Sequence, residues 1–202
     1  MANTPIYVMS HHGGLPPLFR PFEASGRLKG VWEWDLDPAA VASASGLLVT
    51  MHLDQTLAMS WVDALATMLG RGGRVLINGQ VARPWLSGLE PFVLCGRKRE
   101  HFRITVLDEH PVFAGVDRSA LETRRGVAGF YGRGHNPMPA GARALTGVGP
   151  DAAPLDWIWR RADGGAVLSH AGNDLWMNTD DAAQRDLMIA NSLRWLAHET
   201  EA

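Results

Sequence analysis

Along the first half of the chain short apolar runs alternate with amphipathic stretches, and the apolar runs end in clusters of polar residues. Ile6-Tyr7-Val8-Met9 leads into Ser10-His11-His12-Gly13-Gly14, and Leu47-Leu48-Val49-Thr50 into Met51-His52-Leu53-Asp54. Val75-Leu76-Ile77 leads into Asn78-Gly79-Gln80 and, far downstream, Ala166-Val167-Leu168-Ser169 leads into His170-Ala171-Gly172-Asn173-Asp174. Unbroken apolar runs of this length read as strands buried on both faces, the habit of a parallel sheet covered by helices. In an open α/β sheet ligands bind outside the carboxyl ends of the strands. These polar run-ends therefore predict one site assembled from distant segments.

The intervening segments support alternation. Leu18 to Leu28 reads as a short helix, with Pro21 tolerated only near its start; Gly30 to Trp34 and Gly46 to Met51 read as the next two strands. Thr56 is placed to cap a helix whose inward face is Leu57, Trp61, Leu65 and Met68. Gly70 and Gly72-Gly73 stop it before the strand Arg74 to Ile77. From Pro91 to Ile158 the pattern changes to short strand-like runs (Phe92 to Cys95, Phe102 to Val106, Val127 to Tyr131) split by Gly and Pro turns. Trp157-Ile158-Trp159 adds another, and Arg160 to Gly165 reads as a hairpin turn into Ala166 to Ser169. This half is expected to extend the sheet with antiparallel strands. A closing helix is expected from about Asp180 to His198, capped by Thr179, with Ala182, Ile189, Leu193 and Leu196 facing inward. The expectation is one α/β domain over residues 1–202, without internal repeat or linker.

Composition narrows the partners. The 202 residues are 46% hydrophobic and 20% charged, with a net charge of -2. That balance gives no electrostatic case for nucleic acid or an anionic membrane. A single cysteine, Cys95, excludes an internal disulfide and fits a reducing compartment. No basic, apolar leader opens the sequence, and no apolar run approaches the roughly 18 residues of a membrane span. A cytoplasmic protein is expected. Of eight tryptophans, Trp61 and Trp195 fall on helices as packing residues, and Trp32 and Trp34 share a strand face expected to pack in the core.

Three stretches resemble the class I glutamine amidotransferase-like superfamily, and within it the trehalose-utilisation (ThuA-like) family. Gly72-Gly73-Arg74-Val75-Leu76-Ile77-Asn78-Gly79 is similar to the glycine-led strand entering the superfamily's nucleophile turn. His110-Pro111-Val112-Phe113-Ala114-Gly115-Val116 resembles a recurrent His-Pro…Gly segment. Pro154 to Trp157, Gly164 to Val167, Ala171 to Asp174 and Asn191 to Trp195 together resemble the carboxyl-terminal signature. The resemblance implies a flavodoxin-like three-layer sandwich, a mostly parallel sheet with antiparallel additions in the second half. The departures are specific. An amidotransferase carries a cysteine on the turn after this strand, where backbone N–H groups support acyl transfer; here the register puts Gly79 at that position, or Asn78 if it slips by one, and neither side chain is a nucleophile. The family's Gly-His-Asp reads Gly172-Asn173-Asp174. Cysteine-based amidotransferase chemistry is not expected, and Cys95 reads as a buried, inert thiol.

The candidate site residues follow from the run-ends. His52 or His170 is the candidate base, with Asp54 or Asp174 orienting it; Asp54 serves equally well as a helix cap. His11, His12, Asn78, Gln80, His135, Asn173 and Trp176 are candidate ligand contacts, the amides for hydroxyl groups and the indole as a stacking platform. No zinc-binding spacing is present, so the cofactor is left unassigned; a divalent metal on scattered histidines is compatible with the pattern but not required by it. Gly70-Arg71-Gly72-Gly73 precedes a strand, whereas a phosphate loop follows one. Two functions compete. One is a ThuA-like protein that binds, or acts by proton transfer on, a carbohydrate-like polyol. The other is a catalytically silent amidotransferase-like subunit that binds or scaffolds a protein partner or a second copy of itself.

Overall fold

The computed structural model describes residues 4–10 and 14–200. His11 and His12 therefore lie outside the described residues.

The elements in chain order are β1 (Ile6–Met9), α1 (Arg20–Ala24), β2 (Lys29–Trp32), α2 (Pro38–Ser43), β3 (Gly46–Val49), α3 (Gln55–Ala58), α4 (Val62–Gly70) and β4 (Arg74–Asn78). There follow β5 (Val93–Leu94), β6 (Ile104–Val106), β7 (Thr123–Arg124), β8 (Val127–Ala128), β9 (Gly134–His135), β10 (Arg143–Val148), β11 (Ala153–Arg160), β12 (Ala166–His170) and α5 (Ala182–Leu196). Eight strands form one sheet in the order β2-β1-β3-β4-β12-β11-β10-β6. The strands from β2 to β12 run parallel, and β11, β10 and β6 continue the sheet in antiparallel pairs. Two short ribbons, β5–β9 and β7–β8, stand apart from it.

Successive strand residues point to opposite faces, and the buried runs divide accordingly. Tyr7, Leu48, Leu76 and Leu168 join the core beneath α5, with Met188, Ile189, Leu193 and Trp195. Ile6, Val8, Leu47, Val49, Val75, Ile77 and Val167 join the core beneath α2 and α4, with Val41, Trp61, Leu65 and Met68. Two helical layers thus sandwich the sheet, the flavodoxin-like arrangement expected from the sequence.

Local boundaries differ for identifiable reasons. The helix expected from Thr56 begins at Gln55 because the Asp54 carboxylate accepts the N–H groups of Thr56 and Leu57, at 2.9 and 3.1 Å. A 3₁₀ turn over Met59–Trp61 then splits it into α3 and α4. Asp181, not Thr179, caps α5 by accepting from Ala183 and Gln184. Ala182 is exposed, and the inward face begins at Met188. β2 stops at Trp32, the chain turns through Glu33–Asp35, and Trp34 is carried out to solvent with 59% of its surface exposed. The expected core position of Trp34 is therefore corrected. The Phe92–Cys95 and Val127–Tyr131 runs are not strands of the main sheet, since β5 and β8 pair only within the small ribbons.

Candidate functional site

The turns after β4 and β12, the loop after β3 and the Gly129–Arg133 segment frame a crevice of about 490 Å³ at the carboxyl end of the parallel strands. Met51, Gly79, Gln80, Phe130, Arg133, Gly172 and Asn173 contribute to its lining. The polar residues at these strand ends divide into those that line the crevice and those that lie beneath it.

Gly79 occupies the turn after β4. Its φ is +102° and a Cβ there would lie 2.7 Å from the Cα of Met51. This combination requires glycine. Its N–H donates to the His170 carbonyl at 2.9 Å, tying the turn to the end of β12. Asn78 is buried beneath it, donating to Val49 O at 2.9 Å and accepting from the Leu175 N–H at 3.0 Å. Asn78 therefore joins three segments and presents little to a ligand.

His170 is fully buried, with its Nδ1 2.6 Å from an Asp156 carboxylate oxygen; the Tyr131 hydroxyl donates to the other oxygen at 2.7 Å. Asp156 faces His170 directly in the β11–β12 register, on the same face as Ile158 and Leu168. The carboxylate is satisfied by two donors if Nδ1 carries the imidazole proton, which leaves Nε2 as the basic lone pair. Nε2 is buried and without a hydrogen-bond partner, directly under Gly172: a Cβ at Gly172 would lie 2.7 Å from it and would overlap the Tyr131 carbonyl. Burial first, then the Asp156 charge, pushes the Tyr131 phenol well above its ordinary pKa. Tyr131, Asp156 and His170 thus form a closed polar triad under the crevice floor.

Asp174, the other expected orienting carboxylate, accepts the Met51 N–H at 2.8 Å instead of meeting His170. Burial raises its pKa, while that hydrogen bond and the nearby histidines His52 and His170 act the other way. His52 is solvent-exposed in the loop after β3 and is not in the crevice lining. Asp54 is a helix cap. Trp176 is buried against Tyr7 and Phe19, its ring centroid 4.8 Å from that of Phe19, so it packs in the core. His135 sits on β9 in a separate hollow of about 300 Å³ with Cys95 and His101, where desolvation lowers its pKa. The Cys95 thiol donates to Arg133 O at 2.8 Å, and burial raises its pKa.

Gln80 and Asn173 do line the crevice. Asn173 is fixed by donation to Phe130 O at 3.1 Å. Sequence reasoning does not identify Arg133, the cation of the lining, or Phe130, its aromatic wall. It also misses Asn136, which accepts the Val81 N–H at 2.9 Å and donates to Gly79 O and Ser169 Oγ at 3.0 Å each. Asn136 braces the Gly79 turn from below. Among the described residues no Asp, Glu or Cys belongs to the lining, so these residues offer hydrogen-bond donors, one positive charge and an aromatic face. Among the described residues no three His, Cys, Asp or Glu side chains converge as a metal ion would require, and no helix is long and apolar enough to cross a membrane.

No family model matches the chain, and no curated protein matches it. Solved structures do. The mmIFT52 N-terminal domain superposes with a TM-score of 0.58 at 11% identity, over 96% of this chain and 97% of that one. A protein from Thermoplasma acidophilum, described as one of the subunits of a GMP synthase, superposes with a TM-score of 0.56 at 9% identity, over 98% of this chain and 95% of that one. At such identities the likeness concerns the fold alone.

Proposed function

We propose that this chain is a ligand-binding member of the amidotransferase-like fold, without cysteine acyl-transfer chemistry, whose carboxyl-end crevice takes a small polar molecule of the carbohydrate-like polyol class. The observation that carries this reading is Gly79. The turn keeps its tight geometry, but its residue has no side chain and no room for one. Acyl transfer needs a nucleophile poised beside its base, and here the imidazole lies sealed under Gly172. What remains accessible suits recognition. The Arg133 guanidinium presents a planar fork of donors, Gln80 and Asn173 offer amides, and Phe130 supplies the apolar face that the sequence suggests for Trp176.

Calorimetric titration with a panel of disaccharides, sugar alcohols and sugar acids tests it. Binding is expected from at least one, weakened about tenfold or more by Arg133→Ala, the loss of a charge-assisted contact. Absence of binding by every member would overturn the polyol assignment. Ammonia release from glutamine that disappears in Cys95→Ser would overturn the loss of acyl transfer.

A second reading has its own observation. Trp34 is exposed beside Trp32, with ring centroids 6.5 Å apart, at the β2 edge of the sheet. Exposed aromatics of this kind favour protein contact, as a scaffolding or self-associating protein would need. Sedimentation velocity of the chain with and without Trp34→Ala would register self-association through this edge.

A further inference from the structure

Among the described residues that line the carboxyl-end crevice, Arg133 is the one cation, and no carboxylate accompanies it. Resting on the polyol reading above, we propose that the crevice is specific for a polyhydroxy carboxylate, an aldonic or uronic acid. Arg133 holds the carboxylate, and Gln80 and Asn173 meet the hydroxyl groups.

The Arg133 guanidinium is oriented without being neutralised. Its Nε–H donates to the Gly129 carbonyl at 3.2 Å, and its central carbon lies 5.9 Å from the centroid of the Phe102 ring. A carbonyl and an aromatic face fix the direction of the group and leave its charge in place. Among the described residues no ion pair includes Arg133. Outside them the only acidic side chain is that of Glu201, and Thr200 before it accepts from Arg74, which opens β4 at the opposite end of the sheet. With Nε committed, the two terminal nitrogens keep their N–H groups. Such a fork matches the two oxygens of a carboxylate in geometry as well as charge.

The distribution of charge also sets which way round the ligand lies. Arg133 is exposed, whereas Gly79 and Ala171 are buried, so the cation stands at the mouth of the crevice and bare main chain forms its floor. The acidic groups lie beneath that floor: Asp156 meets Tyr131 and His170, and Asp174 accepts the Met51 N–H. Negative charge at that depth repels an anion from the floor and favours it at the mouth. The hydroxyl end then faces Gln80 and Asn173, whose amides both donate and accept, with Phe130 against the C–H face of the chain. One guanidinium balances one negative charge. A phosphoryl dianion would keep a charge without a partner in a concave site, which is costly, so a carboxylate is the better match. The crevice volume, about 490 Å³, lies within the range of small-molecule sites.

The test is calorimetric titration of the full chain with gluconate and with sorbitol, which carries a hydroxymethyl group where gluconate carries its carboxylate. Gluconate should bind about tenfold or more tighter, the worth of one charge-assisted contact. Its affinity should fall as salt rises, while that of sorbitol holds. Arg133→Gln removes the charge and keeps an amide donor. It should bring gluconate down to the level of sorbitol and leave sorbitol within about twofold, as for a mild surface change. Retained sorbitol binding, or an unshifted thermal midpoint where sorbitol binds too weakly to titrate, shows that the variant is folded. Equal affinities for the two ligands in the parent, or a gluconate preference that survives Arg133→Gln, would overturn the charge requirement and leave the polyol reading standing. Glucose 6-phosphate binding more tightly than gluconate would overturn the assignment to a carboxylate. Absence of binding by gluconate, sorbitol and every other polyol tried would overturn the polyol reading itself, and this inference with it.

Discussion

Asn78, Asn136, Asp156 and Asp174, beneath the floor of the carboxyl-end crevice, can be set against Gln80, Arg133 and Asn173, which line it. Both groups are polar residues on or beside the same strand ends. The buried ones meet backbone or one another: Asn78 holds Val49 and Leu175, Asn136 holds Val81 and Gly79, Asp174 holds Met51, and Asp156 holds Tyr131 and His170. Bends at the ends of parallel strands leave backbone donors and acceptors that water cannot reach, and each must be satisfied internally. Of the lining residues, Asn173 and Arg133 each give one donor to a backbone carbonyl, of Phe130 and Gly129, and keep further donors beyond it. A polar residue at a strand end is therefore evidence of a site only when the fold leaves it uncommitted.

The sharpest way to break this distinction is Asp156→Ala. It strands the Tyr131 hydroxyl and the His170 Nδ1 in a sealed space, so urea unfolding should show a loss of about 3–5 kcal/mol, as for breaking a buried pair. Asn173→Ala, in the lining, should stay within about 0.5 kcal/mol of the parent, as surface changes do. Comparable losses in the two would erase the contrast.

Gly79→Ala comes next. Its positive φ and the 2.7 Å approach to Met51 predict a loss of about 1–3 kcal/mol from backbone strain. Gly79→Cys should show the same penalty in thermal unfolding and no glutaminase activity, because His170 stays closed off. A stable, active Gly79→Cys would show the turn to be a working nucleophile elbow.

The smallest effect is a pH dependence. Burial raises the Asp174 pKa above its unfolded value, so the native state holds this proton more tightly than the unfolded one. The stabilisation that follows is present in acid and lost as pH rises through the raised pKa. Asp174→Asn keeps an acceptor for the Met51 N–H and removes the titration. Its stability relative to the parent should therefore improve as pH rises from acid to neutral. Denaturation curves collected across that window check the sign, and a falling difference would contradict it.

Much of the scaffold is legible in the sequence because its signals are local. The runs at Leu47–Val49, Val75–Ile77 and Val167–Leu168 read as buried strands, and they supply the centre of the sheet. Gly79 reads as a turn residue after its strand, and its positive φ and the close approach of Met51 show why no other residue fits. Pairing is harder to read. Asp156 is one charge in an apolar strand, yet the hairpin turn at Arg160–Gly165, once its register is set, places it opposite His170. Tyr131 and Asn136 give no periodic signal, since both lie on irregular chain whose position depends on contacts far along the sequence. Trp176 misleads for a physical reason: an indole beside a polar turn serves a core as readily as a ligand, and here Tyr7 and Phe19 receive it.

The place of β12 has a consequence for how the molecule is born. It is the last strand in sequence, yet it lies between β4 and β11 and is what joins the parallel block to the antiparallel one. On the ribosome, β1 to β4 can assemble early, but β4 then waits with an open edge until some ninety residues later in the chain, counting from Asn78 to Ala166, its neighbour emerges. Late closure by non-local contacts is slow, and an apolar edge left unpaired meanwhile invites other chains to bind it. The yield of folded protein should thus be governed by how quickly Ala166–His170 is delivered, far more than by anything in the crevice it completes.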